Sequence, residues 1–320
     1  MPEVTVAVAS HHRPLRLRWL LNALEKQTLA RERFEVVVAY GSGEDETARV
    51  LREHPLASGG TLRAVAGPRD SGSTTVYRNL AWRAGSAPIV AFTDDDCRPP
   101  PEWLERALAA ARRHPGAVVQ GRTQPDPEER ALLAASFRHT QRIEPPVDVA
   151  QACNILYPRA LLEEVGGFDE SLPWGGEDTD LAMRARKAGA AYVGAPEVTT
   201  WHAVVPISFV QALRASVRWR DMPLVVKRHP ELRRSFPLWI FFHRRHAWLP
   251  LAVAGLVLQR RNPLGVALAI PYAVHATPAH GMNPRGRIRG VLELPARFVE
   301  DLVGFVALGW GSVKHRTPFL

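Results

Sequence analysis

Cysteine is scarce in this 320-residue chain, with Cys97 and Cys153 the only two. Two isolated thiols build no disulfide framework and show no metal-ligand spacing, so a reducing compartment is the simpler expectation. The chain also lacks an apolar run of the about 20 residues that a bilayer-spanning helix requires. Its longest runs, residues 247–258, 263–274 and 302–313, are each only about a dozen residues. No internal repeat or low-complexity tract is present, which excludes repeat arrays and compositional linkers. Residues 4–8 enter an apolar strand with no basic segment or cleavage site before them, and a signal peptide is not expected. Acidic residues are sparse in the last third. Residues 205–320 hold 17 Lys/Arg against 5 Asp/Glu, whereas residues 1–204 hold 24 against 27. The net charge of +9 therefore arises from the C-terminal third. That third has no DNA-binding motif and no aromatic-basic strand-binding surface, so nucleic acid is not an expected partner. Basic clusters at Arg244-Arg245, Arg260-Arg261 and Arg285, Arg287, Arg289 flank the apolar runs. That pattern suits an anionic membrane surface, with buried helices of a small second domain as the alternative.

What is present is an ordinary globular composition, 46% hydrophobic and 23% charged, with ample length for a large core. Strand and helix signals alternate through residues 1–204. Strands are expected at 4–9, 34–40, 62–66, 89–93 and 117–121, and helices at 14–24, 46–53, 73–84 and 103–113. This rhythm predicts an α/β fold, a mostly parallel Rossmann-like sheet flanked by helices, with an α-helical region over 205–320. Ligands of such sheets bind beyond the carboxyl ends of the strands. Ser10-His11-His12-Arg13, Tyr40-Gly41 and Asp94-Asp95-Asp96 all fall there.

The acidic triplet is the most informative feature. An apolar strand, Ile89-Val90-Ala91-Phe92-Thr93, ends in three adjacent like charges. They face solvent as an acidic turn, or a divalent cation neutralises them, and oxygen ligands suit Mg²⁺ or Mn²⁺ shared with substrate phosphates. A second acidic pair, Glu177-Asp178, follows Trp174-Gly175-Gly176 at a helix start. There a carboxylate serves as an N-cap or as a general base. An isolated histidine, His202, follows Trp201 at the end of a strand-like run, a packed core residue or a metal ligand.

In this order the motifs resemble the family-2 glycosyltransferases of the GT-A fold. The resemblance runs from Val4 to His202 and is carried by five stretches. They are Val76-Tyr77-Arg78-Asn79-Leu80-Ala81, Phe92-Thr93-Asp94-Asp95-Asp96-Cys97, Gly166-Gly167-Phe168-Asp169, Gly176-Glu177-Asp178-Thr179-Asp180-Leu181 and Trp201-His202. The resemblance implies an inverting, metal-dependent transfer of a sugar from a nucleoside-diphosphate sugar to a hydroxyl acceptor, a glycan or a lipid-linked cell-envelope molecule. It makes Asp96 and His202 the metal ligands, with Asp94 or Asp95 reaching the ribose or donor sugar. Asp178 becomes the general base, Glu177 stands beside it in the catalytic pair and helps to shape the acceptor site, and Trp174 is assigned to substrate binding. Ser10, His11, Arg13, Tyr40 and Arg78 are assigned to substrate binding, Arg78 at the diphosphate or, equally, as a helix arginine facing solvent.

Two departures from the family's pattern concern the nucleotide. The second strand ends in Ala39-Tyr40-Gly41-Ser42, without the acidic residue usual there, which leaves Tyr40, Glu44 or Asp45 to take its place. The first loop reads Ser10-His11-His12-Arg13 where a Thr-aromatic-Asn-Arg pattern is more usual. Two other readings retain the fold. One is transfer to a polyprenyl phosphate, which needs little from a general base; the other is a non-catalytic sugar-nucleotide-binding membrane protein. The expected location is the cytoplasmic face of the cell membrane, peripheral or monotopic.

Overall fold

The computed structural model describes residues 1–69, 73–172, 175–278 and 284–320. The described residues divide into two compact units. The first comprises Met1–Ala131, His139–Pro173 and Glu177–Val205; the second comprises Leu132–Arg138, Trp174–Gly176 and Pro206–Leu320. The helical unit thus takes in two segments that precede residue 205 in the chain.

The first unit begins with β1 (Val4–Ser10), α1 (Pro14–Glu25), β2 (Phe34–Gly41), α2 (Asp45–Glu53), the single turn α3 (Pro55–Ser58) and β3 (Leu62–Gly67). It continues with α4 (Thr74–Ala84), β4 (Ile89–Asp94), β5 (Cys97–Arg98), α5 (Trp103–Arg113), β6 (Val118–Pro125) and the short β7 (Arg138–His139). Then come β8 (Asn154–Pro158), α6 (Arg159–Val165), α7 (Glu177–Lys187), β9 (Tyr192–His202) and the short β10 (Val205–Pro206). Eight of these strands form one sheet in the order β3-β2-β1-β4-β8-β6-β9-β5.

The central strands alternate between two apolar layers, as a sheet covered on both faces demands. Val4, Val6 and Val8 of β1 join Val36 and Val38 of β2 and the buried leucines 17, 20, 21 and 24 of α1. Ala7, Ala9, Val37 and Ala39 face the other way, onto Tyr77, Ala81 and Trp82 of α4. Pro14 at the first position of α1 starts that helix without costing a backbone hydrogen bond.

The half of the sheet built from β3, β2, β1 and β4 is parallel throughout. Beyond it, β8 runs antiparallel between β4 and β6. β6 and β9 are parallel, with a register break at Gly121/Arg122 where residues 196–198 bulge from β9. The two-residue β5 closes the edge antiparallel to β9.

The second unit is helical: α8 (Phe209–Val217), α9 (Met222–Arg228), α10 (Arg244–Leu258), α11 (Ile270–Ala276) and α12 (Pro284–His315). Ser208 and Gln211 form a reciprocal capping box at the start of α8. Leu249, Ala252, Tyr272 and Ala276 make a small core with Phe298 and Phe305. Buried Asp301 joins three helices, accepting from Arg245 Nε at 2.6 Å and from the Tyr272 hydroxyl at 2.9 Å. The apolar run 302–313 is the C-terminal part of α12, whose earlier turns carry Arg285, Arg287, Arg289 and Arg297. Among the described residues no helix is long and apolar enough to cross a membrane.

Candidate active site

Asp94 is the last residue of β4, and Asp95 and Asp96 form the turn into β5. The ladder between β5 and β9 pairs Cys97 with His202 and Arg98 with Trp201, and the Ala203 amide donates to the Asp96 carbonyl at 2.9 Å. Residues more than a hundred positions apart thereby become neighbours. His202 Nε2 lies 3.4 Å from Asp96 Oδ1, and both side chains are buried. His202 Nδ1 is 2.9 Å from the Ala203 carbonyl oxygen, which accepts and so assigns the ring proton to Nδ1. In the neutral ring Nε2 then keeps its lone pair. Asp96 Oδ1 is buried with no hydrogen-bond partner, a costly arrangement for a carboxylate oxygen. A buried carboxylate oxygen and an imidazole nitrogen at this separation fit a divalent cation. His139 brings a third ligand atom to the same place, all three lying within 4.8 Å of one another.

The rest of the triplet is held by cations and hydroxyls. Arg13 reaches Asp96 Oδ2 at 2.7 Å and Asp95 Oδ1 at 3.3 Å. Asp95 Oδ2 also accepts from the Ser10 hydroxyl at 2.9 Å and the His11 amide at 3.3 Å. Burial, and then the adjacent Asp96 charge, push the Asp95 carboxyl up to about 7. For Asp94 burial acts in the same direction, but the charge and hydrogen bond of Arg78 outweigh it and hold the group below the usual carboxylate range.

Arg78 is buried in α4 and does not face solvent. Its guanidinium donates to Asp94 Oδ1 at 2.9 Å and to Glu177 Oε1 at 2.8 Å, linking the strand tip to the second acidic motif. The next residue, Asn79, ties down the Gly166-Gly167-Phe168-Asp169 loop. Its Nδ2 donates to the Phe168 carbonyl at 2.9 Å and to Glu170 at 2.8 Å, while its Oδ1 accepts from the Phe168 amide and from Trp82. Gly167 sits at φ +73° with Asn79 Oδ1 2.7 Å from the place a Cβ would occupy, so only glycine fits this approach.

Glu177 begins α7 and Asp178 follows within its first turn, where free amides and the helix dipole favour acidic groups. Asp178 lies inside the helix, so it is not the capping residue that flanks one. Its Oδ1 accepts from the Thr179 amide at 2.9 Å and its Oδ2 from the Ala152 amide at 3.2 Å. Burial, then the Glu177 charge, raise its carboxyl to about 7. That value suits proton uptake near neutrality.

At the end of β2, Tyr40 continues the face of Val36 and Val38 and packs against their apolar cluster. Glu44, buried in the following loop, accepts from the His12 amide at 2.9 Å and from the Thr47 hydroxyl at 2.9 Å. The His11 ring meets Glu44 Oε1 through Nδ1 at 3.1 Å and stacks over Tyr77 with centroids 6.2 Å apart. Asp45 opens α2. Trp174 lies outside the described residues. Of the remaining assignments, the structure gathers Ser10, Arg13, Asp95, Asp96 and His202 at one strand tip, and Arg78, Asp94 and Glu177 around one guanidinium. Sequence reasoning missed His139 and the anchoring by Asn79; nothing in the pattern around His139 sets it apart from other histidines.

This fold, with a metal-compatible Asp-His pair at a strand end and an acidic helix start beside it, defines a GT-A-type glycosyltransferase. Residues 2–221 match the model of the glycosyltransferase like family 2, and the chain belongs to that family. Among characterised proteins it is similar to the glycosyltransferase AglE of Haloferax volcanii, 28% identical over 247 residues, covering 75% of this chain and 80% of that protein. It is also similar to the validoxylamine A glucosyltransferase of Streptomyces hygroscopicus subsp. jinggangensis, 28% identical over 268 residues and covering 72% and 62% of the two chains. Among solved structures it resembles a Pyrobaculum calidifontis mannosyltransferase in complex with GDP-Man and Mn²⁺. That match has a TM-score of 0.61 at 20% identity and covers 98% of this chain and 87% of the other. It further resembles S. aureus TarS 1-349 in complex with UDP-GlcNAc, with a TM-score of 0.57 at 17% identity over 99% and 93%. At such identities these structures speak for the fold.

Proposed function

We propose that this enzyme is an inverting, metal-dependent glycosyltransferase that moves a sugar from a nucleoside-diphosphate sugar to a hydroxyl acceptor. The observation that carries the reading is the buried Asp96 Oδ1, without a hydrogen-bond partner, 3.4 Å from His202 Nε2. Asp96 and His202 are the residues that hold the cation, Mn²⁺ or Mg²⁺. When bound, the metal offsets charge that develops on the departing diphosphate. Ser10 and Arg13 orient Asp95 toward the donor, and His11 with Glu44 forms the wall available to the nucleoside. Arg78 fixes Asp94 against Glu177 and so sets the distance between donor and acceptor halves of the site. Asp178, ionised and held by two backbone amides, accepts the proton of the attacking hydroxyl. A single base on the face opposite the leaving group corresponds to inversion.

The second unit supports a reading of the acceptor class and location. Val257, Leu264, Ile270, Val274, Leu292, Trp310 and Val313 are all exposed. Large apolar residues in this number on one unit, with arginines between them, support docking on an anionic membrane surface at the cytoplasmic face. They support a lipid-linked or cell-envelope glycan acceptor. The retained Asp178 supports a hydroxyl nucleophile over an already ionised polyprenyl phosphate. The test is release of nucleoside diphosphate from a panel of nucleotide sugars with and without Mn²⁺. Metal-stimulated release with one donor is expected, and its absence across UDP-, GDP- and dTDP-sugars refutes the reading.

A further inference from the structure

The sheet edge that joins Asp96 to His202 also delivers a third side chain. In the last rungs between β6 and β9, Pro125 stands opposite His202, and the Asp126 amide donates to the His202 carbonyl at 2.9 Å. Two residues earlier on β6, Thr123 exchanges backbone hydrogen bonds with Ile143, at 2.8 and 3.1 Å. The chain leading into Ile143 is therefore held against the end of β6. His139, at the end of β7, lies in that stretch, and its ring meets the His202 ring edge to face with centroids 5.4 Å apart. One imidazole nitrogen from each of His139 and His202 and a carboxylate oxygen of Asp96 lie within 4.8 Å of one another. Donor atoms at such separations can share one ion after small side-chain rotations, because ligands bound at about 2.1 Å lie roughly 3–4 Å apart.

We infer that His139 is a third protein ligand of the metal, which makes the protein's share of the coordination two imidazole nitrogens and one carboxylate oxygen. This rests on the metal-dependent reading above and extends it to the choice of metal. Mg²⁺ prefers oxygen and keeps its waters, whereas imidazole favours first-row transition ions. Two nitrogens against one oxygen therefore select Mn²⁺ over Mg²⁺, and the remaining positions are left to diphosphate oxygens and water.

The test uses the full-length protein with Mn²⁺ and UDP or GDP. Free Mn²⁺ is followed by its electron paramagnetic resonance signal, and bound Mn²⁺ by the nitrogen modulations of its spin echo. The wild type is expected to show coupling to two imidazole nitrogens and a clear preference for Mn²⁺ over Mg²⁺ in competition. His139→Gln should weaken Mn²⁺ by about 10–100-fold, the scale on which metal sites respond to loss of a supporting group. It should remove one of the two couplings and change Mg²⁺ affinity little. His139→Asp should restore binding with a preference moved toward Mg²⁺, which a merely structural histidine does not do. Unchanged Mn²⁺ affinity and two couplings in a folded His139→Gln protein overturn the inference and leave Asp96 and His202 as the ligands. Failure of the wild type to bind Mn²⁺, with and without nucleotide, overturns the metal-dependent reading as well.

Discussion

Asp96 Oδ1 and His202 Nε2 face one another at 3.4 Å, and no hydrogen bond satisfies the buried carboxylate oxygen. The contact gains little by itself, since burial of an unpaired carboxylate oxygen is costly. In the metal-dependent reading proposed above, a cation held there offsets that cost. Asp96→Asn keeps the shape but weakens the ligand, so metal-assisted binding of a nucleoside diphosphate should fall by at least about tenfold. Calorimetric titration of the diphosphate with and without Mn²⁺ measures this. Metal-assisted binding equal to wild type assigns the triplet to a structural turn.

As the proposed general base, Asp178 makes the pH dependence of the reaction predictable. Its carboxyl is raised from 3.8 to about 7, by burial and then by Glu177, and it must be ionised to accept a proton. The rate of sugar transfer should rise with pH through about 7 and level off above it. Asp178→Asn should lower transfer by roughly 10²–10⁴-fold with donor binding retained, and the residual rate should lose the rising limb. The linkage has the opposite sense for stability. A raised carboxyl favours the folded state fully below its unfolded value, and that contribution is lost as pH climbs to about 7. The Asn variant should therefore gain stability relative to wild type at pH 8 and lose that advantage near pH 4. Thermal melts at the two pH values test the sign.

Arg78 is the only side chain seen to touch both Asp94 and Glu177 among the described residues, and it is buried. Replacing it with Met leaves two carboxylates uncompensated. Breaking a buried ion pair in this way costs about 3–5 kcal/mol. Chemical denaturation should show that loss at pH 8 and a smaller one at pH 5, where the carboxylates can take up protons. Equal losses at both values would mean that packing, rather than charge, is what Arg78 supplies.

The elements that position this site were legible to unequal degrees. The strands β1, β2 and β4 announce themselves as apolar runs ending in polar loops, and α1 and α5 as amphipathic stretches, because both of their periodicities are local. The meeting of Asp96 with His202 depends on β5, a two-residue strand with no pattern to read. Strand β8 is equally quiet: Asn154-Ile155-Leu156-Tyr157-Pro158 is short, and only the sheet makes it antiparallel to β4. Arg78 illustrates a different limit, since an arginine on a helix looks solvated until its two carboxylate partners, on β4 and α7, are brought in. His139 has no local signature, and its place beside His202 comes from the Thr123–Ile143 bridge.

The helical unit allows a last prediction. Soluble helices keep polar residues on their open face, yet α10 runs from Ala247 to Leu258 without one, and Leu251, Val257 and Leu258 are exposed. Leu264, Ile270 and Val274 extend the apolar surface beyond Arg260 and Arg261. A surface of this kind combines apolar burial with attraction to anionic headgroups, each arginine near the surface contributing on the order of 1 kcal/mol. The full-length protein should sediment with vesicles rich in anionic lipid and dissociate in part as salt rises, because screening shortens the reach of the arginines. Changing Arg244, Arg260 and Arg261 to Gln should weaken binding to anionic vesicles, while Leu264→Asp and Val274→Asp should weaken binding in high salt as well. A protein that ignores anionic vesicles at low salt refutes membrane docking. The exposed apolar residues would then be the interface for another protein chain.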